Sequence, residues 1–333
     1  MTSVSLLVIN YRSSALAVDA IATARAASSR PLQTVVVDNS VDAAEADALR
    51  GIADAVVVAS PRNAGYAAGI NAGRRLCDGD VIVVSNPDVR FGGKSIDHLA
   101  DANAAIAGPA LFWDDAHRWM LPPAELHTRR EVIDRVIASR SLSWARRRER
   151  RRFLERVAFW SLDRTVPARA LSGAVMAIRA SAFDAAGGFD ERFPLYFEEN
   201  DFLRRVKNDI AYVPSARCRH LYNQSAAGSA EAVSRYARSE MLYLRKWGGA
   251  FAKRFEGSVR AASKPDGGDS DDFVVEASPL ANFETAAGHF GSDAGDISDD
   301  IWSSYRGAVL YLRTVERRTG RVLRSWTKAR IAT

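Results

Sequence analysis

"VIVVSNPDVRF", residues 81–91, opens as an unbroken apolar run and ends in Asn86-Pro87-Asp88. A strand with one wet face alternates apolar and polar residues. A continuous run predicts a strand covered on both faces, as in the middle of a parallel sheet. Pro87 lacks the N–H that a ladder needs, so the strand stops there and the Asp88 carboxylate stands just past its C-terminal end. Upstream, "VSLLVINY", "QTVVVDNS" and "DAVVVAS" read as three more strands, with helices predicted over 13–27, 42–52 and 64–76. Strands alternating with helices imply crossover connections and a mostly parallel sheet carrying helices on both faces. Ligands of such sheets sit at the strands' carboxyl ends. Asn10-Tyr11, Asp38-Asn39 and Asn86-Pro87-Asp88 all fall there.

Downstream the rhythm breaks over 112–165 and resumes in "ALSGAVMAIRASAFDAAGGFDERFPLYFEENDFLRRV", which predicts a short strand, a helix, a Gly-Gly turn and a helix beginning near Glu198. "AYVPSARCRHLYNQS" reads as a strand leading into a loop around His220. Residues 229–247 read as a helix with Tyr236, Met241, Leu242 and Leu244 on its apolar side. "KPDGGDSDD" is linker-like. After it, "FVVEAS" and "GAVLYLRTVERRTGRVLRSWTKARI" read as strands, the second a hairpin turning at Thr319-Gly320. The expected organisation is an α/β domain over 1–260 with a basic insertion at 112–165, a linker at 261–272, and a small, mostly β C-terminal appendage at 273–333.

The 333 residues are 47% hydrophobic and 26% charged, as in ordinary globular proteins. No apolar run reaches membrane-spanning length, and the N-terminus lacks a signal-peptide pattern. Two cysteines, Cys77 and Cys218, make neither a disulfide framework nor a zinc site. The expected compartment is the cytoplasm. Charge is uneven: 129–156 holds eleven arginines against Glu131, Asp134, Glu149 and Glu155, a net of +7 beside +6 for the whole chain. Residues 265–300 hold ten acids and no lysine or arginine.

A single Asp at a strand end is often a turn residue or cap. Asp88 is also where a divalent metal would be held against a diphosphate, since Mg2+ and Mn2+ take oxygen ligands and need only one or two protein carboxylates. Asp38 is placed to accept from a base N–H or a ribose hydroxyl. A dinucleotide fold would use an acid similarly, but the turn after the first strand is "NYRSS", without the Gly-rich fingerprint, and that excludes NAD. In "NAGYAAGINAG", Gly69 and Gly73 fit close helix packing, whereas Asn63 and Gly65 are placed to present backbone at a helix N-terminus. "YFEEND" sets Glu198, Glu199 and Asp201 among apolar neighbours, where burial and like charge raise carboxyl pKa values and suit a general base. His220 could complete a metal shell begun by Asp88.

Together, "VINY", "VVVDNS", "NAGYAAGINAG", "VSNPDVRF", "LSGAVMAIRASAFDAAGGFDERFPLYFEENDFLRR" and His220, in that order over residues 3 to 225, resemble the family 2 glycosyltransferases, and among them the rhamnosyltransferase-like branch. The resemblance implies the GT-A fold, a doubly wound, Rossmann-like mixed sheet, with the nucleotide-sugar half at 1–110 and the acceptor half at 166–260. It implies inverting transfer of a sugar from a nucleotide diphosphate donor to a hydroxyl of a glycan or lipid-linked acceptor, with L-rhamnose from dTDP-rhamnose the donor expected from the branch. The setting it implies is cell-surface polysaccharide synthesis. It places Asn10, Tyr11, Asp38, Asn39, Asn63, Gly65, Tyr66, Asn86 and Asp88 at the donor. Ser172, Gly173, Gly188, Phe189 and Asp190 fall on the acceptor side. Asp88 and His220 match the ligands of Mg2+ or Mn2+. Asn86 stands where the family's metal motif carries its first acid. Glu199 matches the catalytic base in place of a commoner aspartate, with Glu198 and Asp201 as substitutes.

"SWARRRERRRFLERVAFW" interleaves arginines with Trp144, Phe153, Val157, Phe159 and Trp160. This composition suits an anionic membrane surface met by Arg146 to Arg152, which would put the protein at the inner face of the cell membrane. The competing class is a nucleic-acid or anionic-surface binding protein without transferase activity. No nucleic-acid module is recognised, which makes nucleic acid an unlikely partner.

Overall fold

The computed structural model describes residues 2–193, 195–206, 209–221, 230–247, 272–291 and 297–330. The elements run β1 (Val4–Asn10), α1 (Ser14–Ala26), β2 (Leu32–Asp38), α2 (Ala43–Arg50), β3 (Ala55–Ala59), α3 (Tyr66–Arg74), β4 (Val81–Ser85), β5 (Val89–Phe91), α4 (Ser95–Ala100) and β6 (Ile106–Phe112). There follow α5 (Arg129–Ala138), α6 (Leu142–Trp160), β7 (Val166–Pro167), β8 (Val175–Arg179), α7 (Ala180–Ala185), α8 (Glu198–Val206), β9 (Ile210–His220) and α9 (Ala230–Trp247). The C-terminal part adds β10 (Phe273–Ser278), β11 (Ala287–Phe290), α10 (Asp299–Ser304), β12 (Val309–Glu316) and β13 (Val322–Ala329).

The main sheet has the order β3-β2-β1-β4-β8-β6-β9-β5, with β7 on β9. The first four strands are parallel, as their unbroken apolar runs demand, and every residue of β4 is buried. Beyond them the sheet turns mixed: β8 runs antiparallel between β4 and β6, and β6 and β9 are parallel again. One face packs α1, α2 and α4 through Ile21, Leu49, Ile96 and Leu99. The other packs α3, α7 and α8 through Ile70, Phe183, Phe202 and Leu203. This is the expected doubly wound α/β architecture. On α3, side chains at Gly69 and Gly73 would strike Ile9 and Leu7, so the stripe does serve close packing.

Four antiparallel strands, β11-β10-β12-β13, form the small β appendage. Its hairpin turns through Thr319 and Gly320, where φ is 69°. Of the proposed linker, only Asp272 lies within the described residues. On α9 the expected apolar side is corrected at one position: Met241 is exposed, and the fully buried residue is Tyr243, packed on Phe193 and Phe197.

The arginine segment departs most from expectation. Phe153, Val157 and Trp160 are buried against Val274 and Val315 of the appendage. Arg156 and Arg313 both close on the buried Glu276, at 2.6 and 2.7 Å. Arg148 bridges Asp134 and Glu284, Arg151 reaches Asp134, and Arg152 pairs with Glu125. Arg150 donates to the Thr319 carbonyl. A 19-residue amphipathic helix had an apolar stripe to bury, and the acid-rich C-terminal segment supplied carboxylates to meet the flanking guanidiniums. Arg146, Arg147, Arg150 and Arg151 stay exposed, but Arg150 and Arg151 are bonded to Thr319 and Asp134, so α6 is a docking helix with only part of 146–152 open as a cationic strip.

Removing one member of a buried ion-pair set leaves its partners charged and desolvated. Glu276→Ala should therefore cost about 3–5 kcal/mol in urea unfolding. A loss below about 1 kcal/mol would show that the two arginines find water instead.

Candidate active site

Strands β1, β2, β4 and β9 all point one way, and β8, running oppositely, starts at the same edge. The topology thus delivers Asn10, Asp38, Asn86, Asp88, Ser172, Gly173 and His220 to one rim of the sheet.

On the donor side, Asn10 Nδ2 donates to Asp38 Oδ1 at 2.9 Å and to Glu45 Oε2 at 3.0 Å. Ser40 also donates to Asp38 Oδ1 from its backbone N–H, at 3.0 Å, and from its hydroxyl. Asp38 Oδ2 and Asn39 Oδ1 are buried and accept no hydrogen bond. Asn39 Nδ2 donates to the Gly65 carbonyl at 3.1 Å, fixing the entry of α3, while Asn63 Oδ1 accepts from Gly65 N–H. Tyr11 is half exposed beside Arg12, whose φ of 51° kinks the chain at the strand's end. Glu45 is the residue here that the sequence reading missed; it lies in the first turn of α2, three residues after the Asp42 N-cap, where an acid is ordinary and gives no sign of its bond to Asn10.

Asp88 and His220 are brought together by β5, which pairs Val89 with His220. Their Oδ1 and Nε2 atoms lie 3.4 Å apart. Burial works against ionisation of Asp88, but the charge and hydrogen bond of His220, with help from Arg90, hold its carboxyl below the usual range. Among the described residues there is no group of three or more His, Cys, Asp or Glu side chains that could cage a metal. One carboxylate and one imidazole are nevertheless the donor set that Mg2+ or Mn2+ takes when phosphate oxygens and water complete the shell. The residues present fit such an ion.

Glu198 and Glu199 open α8, launched from a strained turn. Tyr196 and Phe197 both have φ near 67°, a region bulky L residues avoid at a cost of order 1–3 kcal/mol each. Packing holds the turn: Phe197 lies against His127, Tyr236 and Tyr243, and Ser239 donates to the Leu195 carbonyl at 2.7 Å. Burial, then the charge of Glu199, raises Glu198 well above the usual carboxyl range, and its Oε2 has no hydrogen-bond partner. Burial pushes Glu199 up to about 7, against the opposing effect of nearby backbone N–H groups. Asp201 is engaged elsewhere: Arg205, Lys246 and Trp247 all bond its carboxylate at 2.7–2.9 Å. It anchors α9 and is corrected from substitute base to counter-ion.

Tyr66 joins the two sides. Its hydroxyl donates to the Gly173 carbonyl at 3.1 Å. Burial and then the charges of Glu198, Glu199 and Asp88 raise its pKa well above that of an ordinary phenol. Gly173 in turn abuts Glu199: a Cβ there would lie 3.3 Å from the Glu199 Cγ. Next along, Asn86 N–H donates to the Ala174 carbonyl at 2.9 Å, and Ser172 Oγ accepts from Ala174 N–H. Asp88 and Glu199 therefore both lie near the Tyr66 hydroxyl.

The remaining acceptor-side residues build the frame. Gly188 has φ of 72° and leaves no room for a side chain beside Asn71. Phe189 stacks on Phe202 at 4.3 Å, and its backbone pairs with Asn71. Asp190 is held well below its usual range, first by hydrogen bonds from Arg192 and also by Lys246. These contacts assign Gly188, Phe189 and Asp190 to structure; sequence could not signal the Asp190 pairing because Lys246 is 56 residues away.

A carboxyl raised by folding destabilises the fold once ionised. The native state holds its proton more tightly, so stability falls as pH rises from the unfolded carboxyl range through about 7. Glu199→Gln, which copies the protonated form, should melt higher than wild type at pH 8, and the gap should close toward pH 4.5. A gap that is constant with pH would place the pKa elsewhere.

The model of the "Glycosyltransferase like family 2" family matches residues 2–240. The chain is 28% identical over 244 residues to the N-acetylglucosaminyl-diphospho-decaprenol L-rhamnosyltransferase of Mycobacterium tuberculosis, covering 66% of this chain and 76% of that one. Among solved structures it is similar to a mannosyltransferase from Pyrobaculum calidifontis in complex with GDP-Man and Mn2+, at TM-score 0.48 and 14% identity. That match covers 74% of this chain and 64% of the other, just under two thirds of its length. The S. aureus TarS structure overlaps at TM-score 0.44 and 12% identity, covering 75% and 67%. With the family matched over most of its length, the chain belongs to glycosyltransferase family 2 and is a glycosyltransferase.

Proposed function

We propose that the enzyme transfers a hexose with inversion from a nucleotide diphosphate donor, most simply L-rhamnose from dTDP-rhamnose, to a hydroxyl of a glycan or lipid-linked acceptor in cell-surface polysaccharide synthesis. The observation that carries the reading is the pair of carboxylates near Tyr66, Asp88 held low beside His220 and Glu199 raised to about 7. Environments that push two acids apart assign them different work. The kinship to an L-rhamnosyltransferase supports the choice of sugar.

The unsatisfied oxygens of Asp38 and Asn39 offer acceptors to a ribose hydroxyl or base N–H, and Tyr11 offers a face for the base. Asp88 and His220 would hold Mg2+ or Mn2+, which when bound offsets charge growing on the departing diphosphate. Glu199 takes the acceptor's proton as the acceptor oxygen attacks the anomeric carbon from the side opposite the diphosphate. Glu198, kept neutral by burial, avoids a second negative charge there, and Tyr66 stays protonated and holds the Gly173 wall. Proximity of the two substrates supplies much of the rest.

Purified enzyme assayed with a panel of nucleotide sugars and Mg2+ or Mn2+ should turn over one of them. Glu199→Gln should lower kcat by about 10²–10⁴-fold. The wild-type kcat/KM should fall as pH drops below about 7. Full activity of Glu199→Gln, or a rate flat from pH 5 to 8, would remove Glu199 as the base.

A further inference from the structure

The helix α5 is amphipathic the wrong way round for a buried element. Glu131, Asp134 and Arg135 turn inward: Asp134 accepts from Trp144 Nε1 at 2.8 Å, Arg148 Nε at 3.0 Å and Arg151 Nη2 at 2.6 Å. Arg135 reaches Glu240 at 2.6 Å, and Glu131 closes the capping box with Thr128. The aliphatic residues face outward. Ile133, Val136 and Ile137 are 57%, 44% and 39% exposed, and Leu142, which opens α6 after the turn, is 80% exposed. Positions 133, 136, 137 and 140 share one helical face.

The rim of that face is cationic. Arg129 and Arg140 lie on the same helical face, at its two ends, and both are exposed. Over 129–140 the two acids, Glu131 and Asp134, are bonded to Thr128 and to Trp144, Arg148 and Arg151 and are not among the exposed residues, so the exposed residues of this stretch are aliphatics, arginines and Ser139. Three exposed aliphatics on one helical face, with a fourth at the start of the next helix, are unfavourable in water. A surface for a protein partner would ordinarily mix charges of both signs; this one complements a layer that is apolar within and uniformly anionic at its boundary.

We infer that Ile133, Val136, Ile137 and Leu142 insert into the headgroup boundary of an anionic phospholipid bilayer, with the surrounding arginines on the phosphates. The contact differs from one made by the arginines of α6, most of which are spent on the appendage. It is a surface contact: among the described residues no helix is long and apolar enough to cross a membrane.

The full chain is tested by flotation with vesicles of phosphatidylglycerol or of phosphatidylcholine alone, without donor or acceptor, so the result is independent of the reaction proposed above. Wild type should float with the anionic vesicles and not with the zwitterionic ones. The combined variant Ile133→Ser, Val136→Ser, Ile137→Ser should lose at least about tenfold in partitioning while keeping its melting temperature. The combined Arg129→Gln, Arg140→Gln variant should also detach and flatten the salt dependence. Failure of wild type to float, or equal flotation of wild type and the serine variant, would overturn the inference. So would a wild-type dimer that becomes a monomer in the serine variant without any vesicle binding, which would make the face a contact between copies.

Discussion

The hydroxyl of Tyr66 reaches the Gly173 carbonyl from the first turn of α3, and so ties the parallel half of the sheet to the strand that interrupts it. The rest of the site hangs on that join. Gly173 lies directly against Glu199, with no room for a methyl group to be added without displacement. Asn86, two residues before Asp88, pairs with the carbonyl of Ala174. A shift of this short segment would move Glu199, the proposed base, relative to the residues proposed to hold the leaving group. Such a site is positioned by backbone contacts of β4 and β8, which are among the most deeply buried strands of the sheet.

Electrostatics then divides labour between carboxylates that look alike in sequence. Asp88 is ionised because an imidazole and a guanidinium outweigh its burial. Among the described residues no cation is bonded to Glu198 or Glu199, and burial raises both. Asp201 and Asp190 share the ammonium of Lys246 and so tie α9 to α8 and the Gly-Gly turn before it. The strained Tyr196-Phe197 turn aims the glutamates, and the aromatic packing of His127, Tyr236 and Tyr243 offsets its cost.

The parallel half was legible because unbroken apolar strands and intervening helices leave few alternatives, and the strand-end residues Asn10, Asp38 and Asp88 were legible with it. Strand direction beyond β4 was not, since periodicity reports which faces are covered and not which neighbour pairs. The arginine run misled for a related reason. Arg156 and Arg313 meet at Glu276, and Arg148 meets Glu284, across more than a hundred residues of chain for two of those three pairings. A sequence shows the charges but not the partners that neutralise them. Asp201 was misread likewise, because Lys246 and Trp247 carry no local signal that they return to α8.

The measurement that bears most directly on this account is a crystal structure of the enzyme with Mn2+ and a nucleoside diphosphate. The account predicts an anomalous manganese peak between Asp88 and His220, the diphosphate on it, and the Glu199 carboxylate facing the diphosphate. Manganese bound away from Asp88, or Glu199 separated from the diphosphate by a wall of protein, would contradict it.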